Sequence, residues 1–380
     1  MTETVITPQA VIPAKGTASS SRRFGAAIEI VVRSVVPVIL ALVVGGILLL
    51  ALGHNPIAFY GDIYQGGILQ DAWQDSVMRM APLLLIAAGL VFIFRANIWN
   101  LGYDGQFMLA AAMIAGLGPG LDARLPYGLA LLILFAVAAT VGGLWTIVPA
   151  LLKAYSGVNE IITTLMTSFI GLSLANILIK GPFQNPASAI PQTSIMPLAG
   201  MLPNIPGTRT HIGIIIALVV VIIVHYVLTR TSIGLRLQVL GASPRAATHA
   251  GLSVKRLIVT AFVVSGALIG LAAAVEILGI WGYVRSDTNF AYGDAVIPFV
   301  FLARLNALAV IPFVAFYSVL SIGGEYATQQ ANLPTDFLLV IVGLILLFMT
   351  ITEFVGRKQA LGQSYLTPGL ARAFRRRTRE

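Results

Sequence analysis

Two polar clusters interrupt the long apolar runs of this chain. Their side chains can exchange hydrogen bonds with a dissolved molecule, and they are Asn97, Asn100, Asp104 and Gln106 in the first cluster and Asn159, Glu160, Thr163 and Thr164 in the second. Polar groups are unfavourable in lipid, so within a membrane span they normally face protein or a water-filled cavity. We therefore expect them to line a polar path. The alternatives are that the hydroxyls bond to helix backbone and that the two carboxylates compensate helix N-termini.

Glycines accompany the polar groups. Gly102 and Gly105 lie inside the first cluster, which predicts a broken helix or close backbone packing there. Gly266 and Gly270 form a small-residue pair four positions apart, a helix-packing motif of low specificity.

Enzymatic chemistry finds no support in the sequence. The chain has no His-Glu-x-x-His pair, no serine nucleophile turn, no phosphate-binding loop and no cysteine. Asp104 and Asp294, each preceded by a tyrosine within two residues, weakly resemble the paired aspartates of intramembrane proteases. We expect Asp104 near the inner membrane face and Asp294 near the outer one, whereas shared-proton chemistry requires adjacent carboxylates. We therefore predict no catalytic residue, no metal site and no cofactor bound by this chain.

The composition identifies an all-α integral membrane protein, a polytopic helical bundle. Of 380 residues, 57% are hydrophobic and 10% are charged, against about 25% charged in soluble domains. We predict a disordered cytoplasmic tail over 1–25, a membrane domain over 26–355 and a basic cytoplasmic tail over 356–380 that attracts anionic lipid. The predicted spans number about ten and cover 28–52, 78–94, 102–119, 126–152, 159–179, 211–229, 257–281, 287–303, 307–323 and 335–353.

The basic residues predict the orientation. If the N-terminus is inside and the spans alternate, all but five of the 24 lysines and arginines are cytoplasmic, which places both termini there. The five external ones are Arg79, Arg124, Lys180, Arg209 and Arg285. The net charge of +9 therefore reflects orientation and not nucleic-acid binding. The short segments 287–303 and 307–323 are either two full spans or a re-entrant pair.

The cytoplasmic loop 230–256 contains signals for a short helix. Ser243 suits the N-cap, Pro244 the first helical position and Gly251 the left-handed stop. The product is a helix of about two turns over 244–250. A transporter driven by a soluble motor needs such a projection, although an ordinary solvated loop is the alternative. The external segments 53–77 and 181–210 are either plain connections or a docking surface for an external partner.

Four segments resemble those of bacterial ABC-importer permeases. They are NIWNLGYDGQFMLAAA, GVNEIITTLMTSFIGLSLANILIKGP, TSIGLRLQVLGASPRAATHAGL and FVFLARLNALAVIPFVAFYSVLSIGG. The likeness is to the simple-sugar and purine-nucleoside branch, which is related to the branched-chain amino acid permeases. It implies a ten-helix permease in the bacterial plasma membrane that pairs with a second, homologous permease, as a homo- or heterodimer. It also implies a cytoplasmic ATPase subunit that consumes ATP and an extracytoplasmic substrate-binding protein.

The resemblance also implies roles for particular residues. The family's ATPase-contacting helix falls on Ser243, Pro244, Arg245, Ala246, Ala247, Thr248, His249, Ala250 and Gly251. The implied cargo is a purine nucleoside or a related solute, with ribose or another simple sugar as the alternative. Asp104 stands where nucleoside permeases commonly have glutamate, which leaves the substrate open. A secondary transporter of another class would need a midplane ion pair, and the sequence offers Glu276 without an evident partner.

Overall fold

The computed structural model describes residues 20–69, 71–334 and 337–360, and their regular structure is helical apart from isolated β-bridges. The α-helices of this part of the chain are α1 (Ser20–Ala51), α2 (Pro56–Gly67), α3 (Ala72–Phe94), α4 (Tyr103–Asp122), α5 (Tyr127–Trp145), α6 (Ile147–Ser156), α7 (Glu160–Lys180), α8 (Gly213–Arg230), α9 (Ser232–Ala242), α10 (Pro244–His249), α11 (Val254–Glu276), α12 (Tyr292–Leu302), α13 (Val310–Gln330) and α14 (Phe337–Ala360). A π-helical turn, Ile277–Trp281, continues α11.

The tails predicted from sequence fall largely outside the described residues. The structure begins at Ser20, which already belongs to α1, so the end of the predicted N-terminal tail is helical. The start of the predicted basic tail likewise belongs to α14 as far as Ala360. Residues 41–347 form one compact unit, which contains both polar clusters. Residues 1–40 and 348–380 form a second unit, described here only as the helical segments 20–40 and 348–360.

Each of the ten apolar segments predicted as spans contains helix, although 126–152 is divided between α5 and α6 and the first five residues of 287–303 are not helical. Six helical segments are long and apolar enough to cross a membrane, and they are Ala72–Phe94, Tyr127–Ser156, Glu160–Lys180, Gly213–Arg230, Val254–Trp281 and Val310–Gln330. The end of α1 forms a further candidate together with α2, across a bend of 119°. The chain is thus a multi-pass helical membrane protein.

The pair predicted over 287–323 is unequal. Helix α12 has 11 residues, which is about half the length that a membrane span needs. Helix α13 has 21 residues and is long enough. Between them, Arg304 and Leu305 both have left-handed backbone angles, with φ of 52° and 55°. This sharp reversal separates a half-length helix from a full-length one.

Helix α2 was missed by the sequence prediction, which treated 53–77 as an external connection. Asn55 caps α2, since its Oδ1 accepts the backbone N–H of Ile57 at 2.9 Å, and Pro56 occupies the first turn. The helix packs closely on α13: a Cβ added to Gly323 would lie 2.0 Å from the carbonyl oxygen of Ile63. The segment is too short and too polar to be predicted as a membrane span, although Asn55 and Pro56 form a recognisable signal for the start of a helix.

Helices α3 and α11 form the core of the larger unit. Helix α3 is largely buried and packs on α8, α11, α12 and α13, while α11 also packs on α4, α5 and α6. The glycine pair of α11 lies on the α5 interface, as its motif predicted. A Cβ on Gly266 would lie 2.3 Å from the carbonyl oxygen of Gly142, and one on Gly270 would lie 2.0 Å from that of Ala138.

Substituting Gly270→Leu is expected to destabilise the protein by about 1–3 kcal/mol or more, because a side chain there must push two helix backbones apart. The measurement is the midpoint of thermal unfolding in detergent. Gly343→Leu is the matched control, since no other helix or side chain of the described residues lies within 4 Å of a Cβ added there. Equal midpoints for the two variants would contradict the close α5–α11 packing.

Candidate functional site

The first polar cluster lies deep in the bundle. After α3 the chain turns at Asn97, whose φ is 55°, and re-enters the protein as far as α4. Buried Asn100 donates from Nδ2 to Gln106 Oε1 and to Ser265 Oγ, both at 3.1 Å. Ser265 lies midway along α11. Helix α4 therefore begins near the middle of the membrane domain.

This geometry corrects the expected position of Asp104. The sequence analysis placed it near the inner face and Asp294 near the outer one, but the Tyr103 hydroxyl donates to Asp294 Oδ1. The Tyr103 ring lies against Gly293, where an added Cβ would be 1.9 Å away. The first turns of α4 and α12 thus meet. The prediction failed because it assumed that α4 starts at the membrane surface.

The polar face of α7 holds the start of α4. Thr164 Oγ1 accepts the backbone N–H of Leu101 at 3.2 Å, and Ser168 Oγ accepts that of Gly105 at 3.0 Å. These two bonds satisfy N–H groups that the broken helix leaves without an intrahelical partner. Thr164 also donates to the Glu160 carbonyl at 2.6 Å. Its hydroxyl therefore serves helix packing in this conformation.

The second polar cluster begins α7, next to the segment that carries Asn97. Asn159 caps the helix through the N–H of Ile161 at 2.9 Å, and Thr163 bonds back to the carbonyls of Asn159 and Glu160. Glu160 forms an ion pair with Lys153 at 2.6 Å. A cavity of about 390 Å³ opens beside this ion pair, and its lining includes Asn97, Trp99, Lys153, Glu160, Gly241 and Pro244.

A group of four aromatic residues was missed by the sequence analysis. We name it the aromatic wall, and it consists of Phe107, Trp281, Phe290 and Tyr292. The Phe290 ring lies 5.4 Å from those of Phe107 and Tyr292 and 6.0 Å from that of Trp281, measured between centroids. The wall joins α4, the π-helical turn and α12. Phe107 is distant in sequence from the other three members, so local spacing does not reveal the whole group.

Glu276 fixes two members of the wall. Its Oε1 accepts Trp281 Nε1 at 2.9 Å and the Tyr292 hydroxyl at 2.7 Å. The first bond joins residues five apart, a spacing that the π-helical turn aligns. The carboxylate is fully buried, and its other oxygen has no hydrogen-bond partner in the described structure.

The expectation that Glu276 lacks a partner is wrong. Arg79 donates to the Tyr292 hydroxyl at 2.8 Å and forms an ion pair with Glu325 at 3.3 Å. The Tyr292 hydroxyl therefore links the Arg79 guanidinium to the Glu276 carboxylate. The sequence analysis also counted Arg79 as external, but it belongs to α3 and its side chain is only 17% exposed. A charge near the start of an apolar run was mistaken for a flanking residue.

Helix α10 projects from the loop 230–256 with the predicted cap. Ser243 Oγ accepts the backbone N–H of Ala246 at 3.2 Å, Pro244 occupies the first turn and Gly251 has a φ of 74°. Ala247 is the buried anchor of the helix, whereas Pro244, Arg245, Ala246, Thr248 and His249 are exposed. A short rigid knob of this kind offers a partner several adjacent backbone and side-chain groups.

The chain is similar in sequence to known membrane transport proteins. Residues 74–350 match the model of the family described as branched-chain amino acid transport system / permease component. The chain is 31% identical to the glucose ABC transporter permease protein of Haloferax volcanii, over 85% of this chain and 88% of that one.

Two further relatives carry nucleoside names. The chain is 27% identical to the guanosine ABC transporter permease protein NupP of Bacillus subtilis, over 83% of this chain and 91% of the relative. It is 25% identical to the nucleoside ABC transporter permease protein NupB of Lactococcus lactis, over 83% and 89% of the two chains. No solved structure matches the chain.

Proposed function

Because the chain belongs to the branched-chain amino acid transport system permease family, we propose that it is the membrane subunit of an ATP-driven importer that carries a purine nucleoside or a related solute inward. The chain is a transport subunit and not an enzyme. We propose that it crosses the plasma membrane ten times. The six long spans would be completed by the bent pair α1–α2, by α4 and α14, and by the segment 287–303, of which α12 supplies only half the length of a span. Both termini are cytoplasmic, in keeping with the distribution of lysine and arginine.

The proposed complex contains a second permease. The relatives of Bacillus subtilis include two guanosine permease proteins, NupP and NupQ, and those of Lactococcus lactis include two nucleoside permease proteins, NupB and NupC. Such pairs support a heterodimer in which this chain supplies one half of the path. A cytoplasmic ATPase and an extracytoplasmic substrate-binding protein complete the importer.

The observation that carries the proposal is the capped helix α10. The helix is held to the protein through one buried residue, Ala247, and its other residues are exposed. It lies beside the cavity whose lining includes Pro244 and the Lys153–Glu160 ion pair. Movement of a motor bound to α10 would therefore reach the start of α7 and the re-entrant segment before α4. Asn97, Asn159 and Glu160 form the inner mouth of the path, and Asp104 lies at its centre. Asn100, Gln106, Thr163 and Thr164 hold the broken helices in register around it.

Cysteine crosslinking tests the contact with the motor. The chain has no cysteine, so Arg245→Cys introduces a single thiol that is expected to crosslink to the co-purified ATPase. Arg209→Cys, on the predicted external side, is the matched control and is expected to give no crosslink. Equal crosslinking at the two positions would overturn the orientation, and no crosslink at Arg245 would overturn the coupling role of α10.

A simple sugar is the second candidate substrate, because the glucose permease relative is 31% identical to this chain. Purine nucleosides remain our first choice because relatives from two organisms carry nucleoside or guanosine names and because aromatic rings stack well on purine bases. Measuring which ligand raises the melting temperature of the co-purified binding protein separates the candidates.

A further inference from the structure

The exposed surface of the larger unit is of two kinds at the depth of the membrane. On the outer helices it is apolar: Leu132, Phe169, Ile177 and Ile223 are 67%, 60%, 64% and 54% exposed. Beside the aromatic wall it is polar, because Asp294 and Asn289 are exposed and Asp104 is partly exposed. Trp281 of the wall itself is 42% exposed. Only the first kind of surface suits lipid.

The depth of the polar face follows from its contacts. Tyr103, whose hydroxyl bonds to Asp294, lies three residues beyond Asn100, which reaches Ser265 at the middle of α11. Carboxylates at this depth are unfavourable against hydrocarbon, so they must face water or protein. The polar face therefore belongs to an internal, hydrated surface in the assembled transporter.

Carboxylate oxygens dominate the chemistry of this face. Asp104 and Asp294 present hydrogen-bond acceptors, Asn289 presents its amide N–H groups because its Oδ1 already accepts the backbone N–H of Ala291 at 3.1 Å, and the aromatic wall presents flat rings. Glu276 orients Trp281 and Tyr292 from behind, and one of its oxygens is buried without a partner in the described part of the chain. The nearby cation, Arg79, is already engaged by Glu325 and Tyr292.

We propose that Asp104, Trp281, Asn289, Phe290 and Asp294 form a solute-recognition surface that favours neutral or cationic solutes with several hydrogen-bond donors and one flat face, and that disfavours anions. The hydroxyl and N–H groups of a nucleoside or sugar suit the acceptors, and the base or the C–H face of a sugar ring suits the aromatic wall. A carboxylate or phosphate group would meet two carboxylates, and Arg79, the cation beside the aromatic wall, is already engaged by Glu325 and Tyr292. The proposal rests on the proposed function, whose substrate class it defines.

Thiol labelling of the full chain in its complex, reconstituted in liposomes, tests the surface without requiring transport. Asn289→Cys is expected to react with water-soluble methanethiosulfonates, and the cationic reagent is expected to react about tenfold faster than the anionic one, after correction for their rates with a free thiol. Asp294→Asn in the same background is expected to reduce that preference. Ile223→Cys, on the lipid-facing side of α8, is expected to remain unlabelled.

A second position keeps the test decisive. If Asn289→Cys does not reach the membrane, Thr288→Cys, half-buried in the same loop, takes its place with the same expectations. Guanosine or glucose at saturating concentration should slow the labelling severalfold, whereas guanosine monophosphate should not. Labelling with no charge preference, or equal protection by the monophosphate, would overturn the proposal.

Transport by the same complex separates this inference from the proposed function. ATP-dependent uptake of guanosine or glucose together with no labelling at either loop position would overturn the recognition surface alone. Cation-selective, solute-protected labelling in a complex that takes up neither solute with ATP would overturn the proposed import while supporting the surface.

Discussion

Replacing Arg79 by leucine is expected to lower the free energy of unfolding by about 3–5 kcal/mol, because it removes the cation from a buried network and leaves its acids behind. Glu276 is fully buried, and its bond from Tyr292 depends on a hydroxyl that Arg79 also holds. Glu325 also loses its ion pair. The midpoint of thermal unfolding in detergent, followed by the loss of monodisperse protein, measures the effect.

Three variants isolate the charge. Arg124→Leu, an exposed arginine after α4, is the control and should change stability by less than about 0.5 kcal/mol. Arg79→Lys keeps the charge but loses the fork that reaches both Tyr292 and Glu325, so an intermediate loss is expected. Glu276→Gln in the Arg79→Leu background should recover part of the stability. If Arg79→Leu unfolds at the wild-type temperature, the network does not stabilise the fold.

Replacing Ala247 by glutamate is expected to lower uptake at least tenfold while leaving the bundle folded. Ala247 is the fully buried residue of α10. A carboxylate placed there must either remain desolvated or displace α10 from the residues on which it packs. Because α10 belongs to the loop between α9 and α11, packs mainly on α9 and makes few contacts with α11, abundance in the membrane should stay near wild type. Solute uptake by membrane vesicles supplied with ATP measures the effect.

The matched control is Ala242→Glu, which places the same charge at an exposed position at the end of α9. It should retain most of the uptake. ATP hydrolysis by the complex should continue in the Ala247→Glu variant but should no longer depend on the loaded binding protein. Wild-type uptake by the Ala247→Glu variant would show that the packing of α10 through Ala247 does not transmit force.

The sequence predicts the helices better than it predicts their depth. Long apolar runs identify α3, α7, α8 and α11 because each run must satisfy its own backbone in lipid. The cap of α10 was predictable because Ser243, Pro244 and Gly251 are local signals. The depth of α4 was not, because it depends on Asn100 reaching Ser265 on a helix that is distant in sequence.

For the polar residues as well, composition could be predicted from local sequence but tertiary contacts could not. The cluster from Asn97 to Gln106 stands out by composition, but its role in this conformation is set by contacts with α7 and α11. Phe107 joins the aromatic wall from a segment distant in the chain from the other three members, so local spacing does not reveal the wall. Arg79 looked like the flank of a span because hydropathy does not report the acids that α11 and α13 bring to it.

The meeting of the first turns of α4 and α12 has a consequence for the sign of the local potential. Each helix start carries roughly half a positive elementary charge, and Asp104 and Asp294 each lie in the first turn of one helix. The two acids therefore mask a built-in attraction for anions. Exchanging both acids for amides would remove this masking, so we expect the proposed bias of this surface against anions to weaken in that double variant.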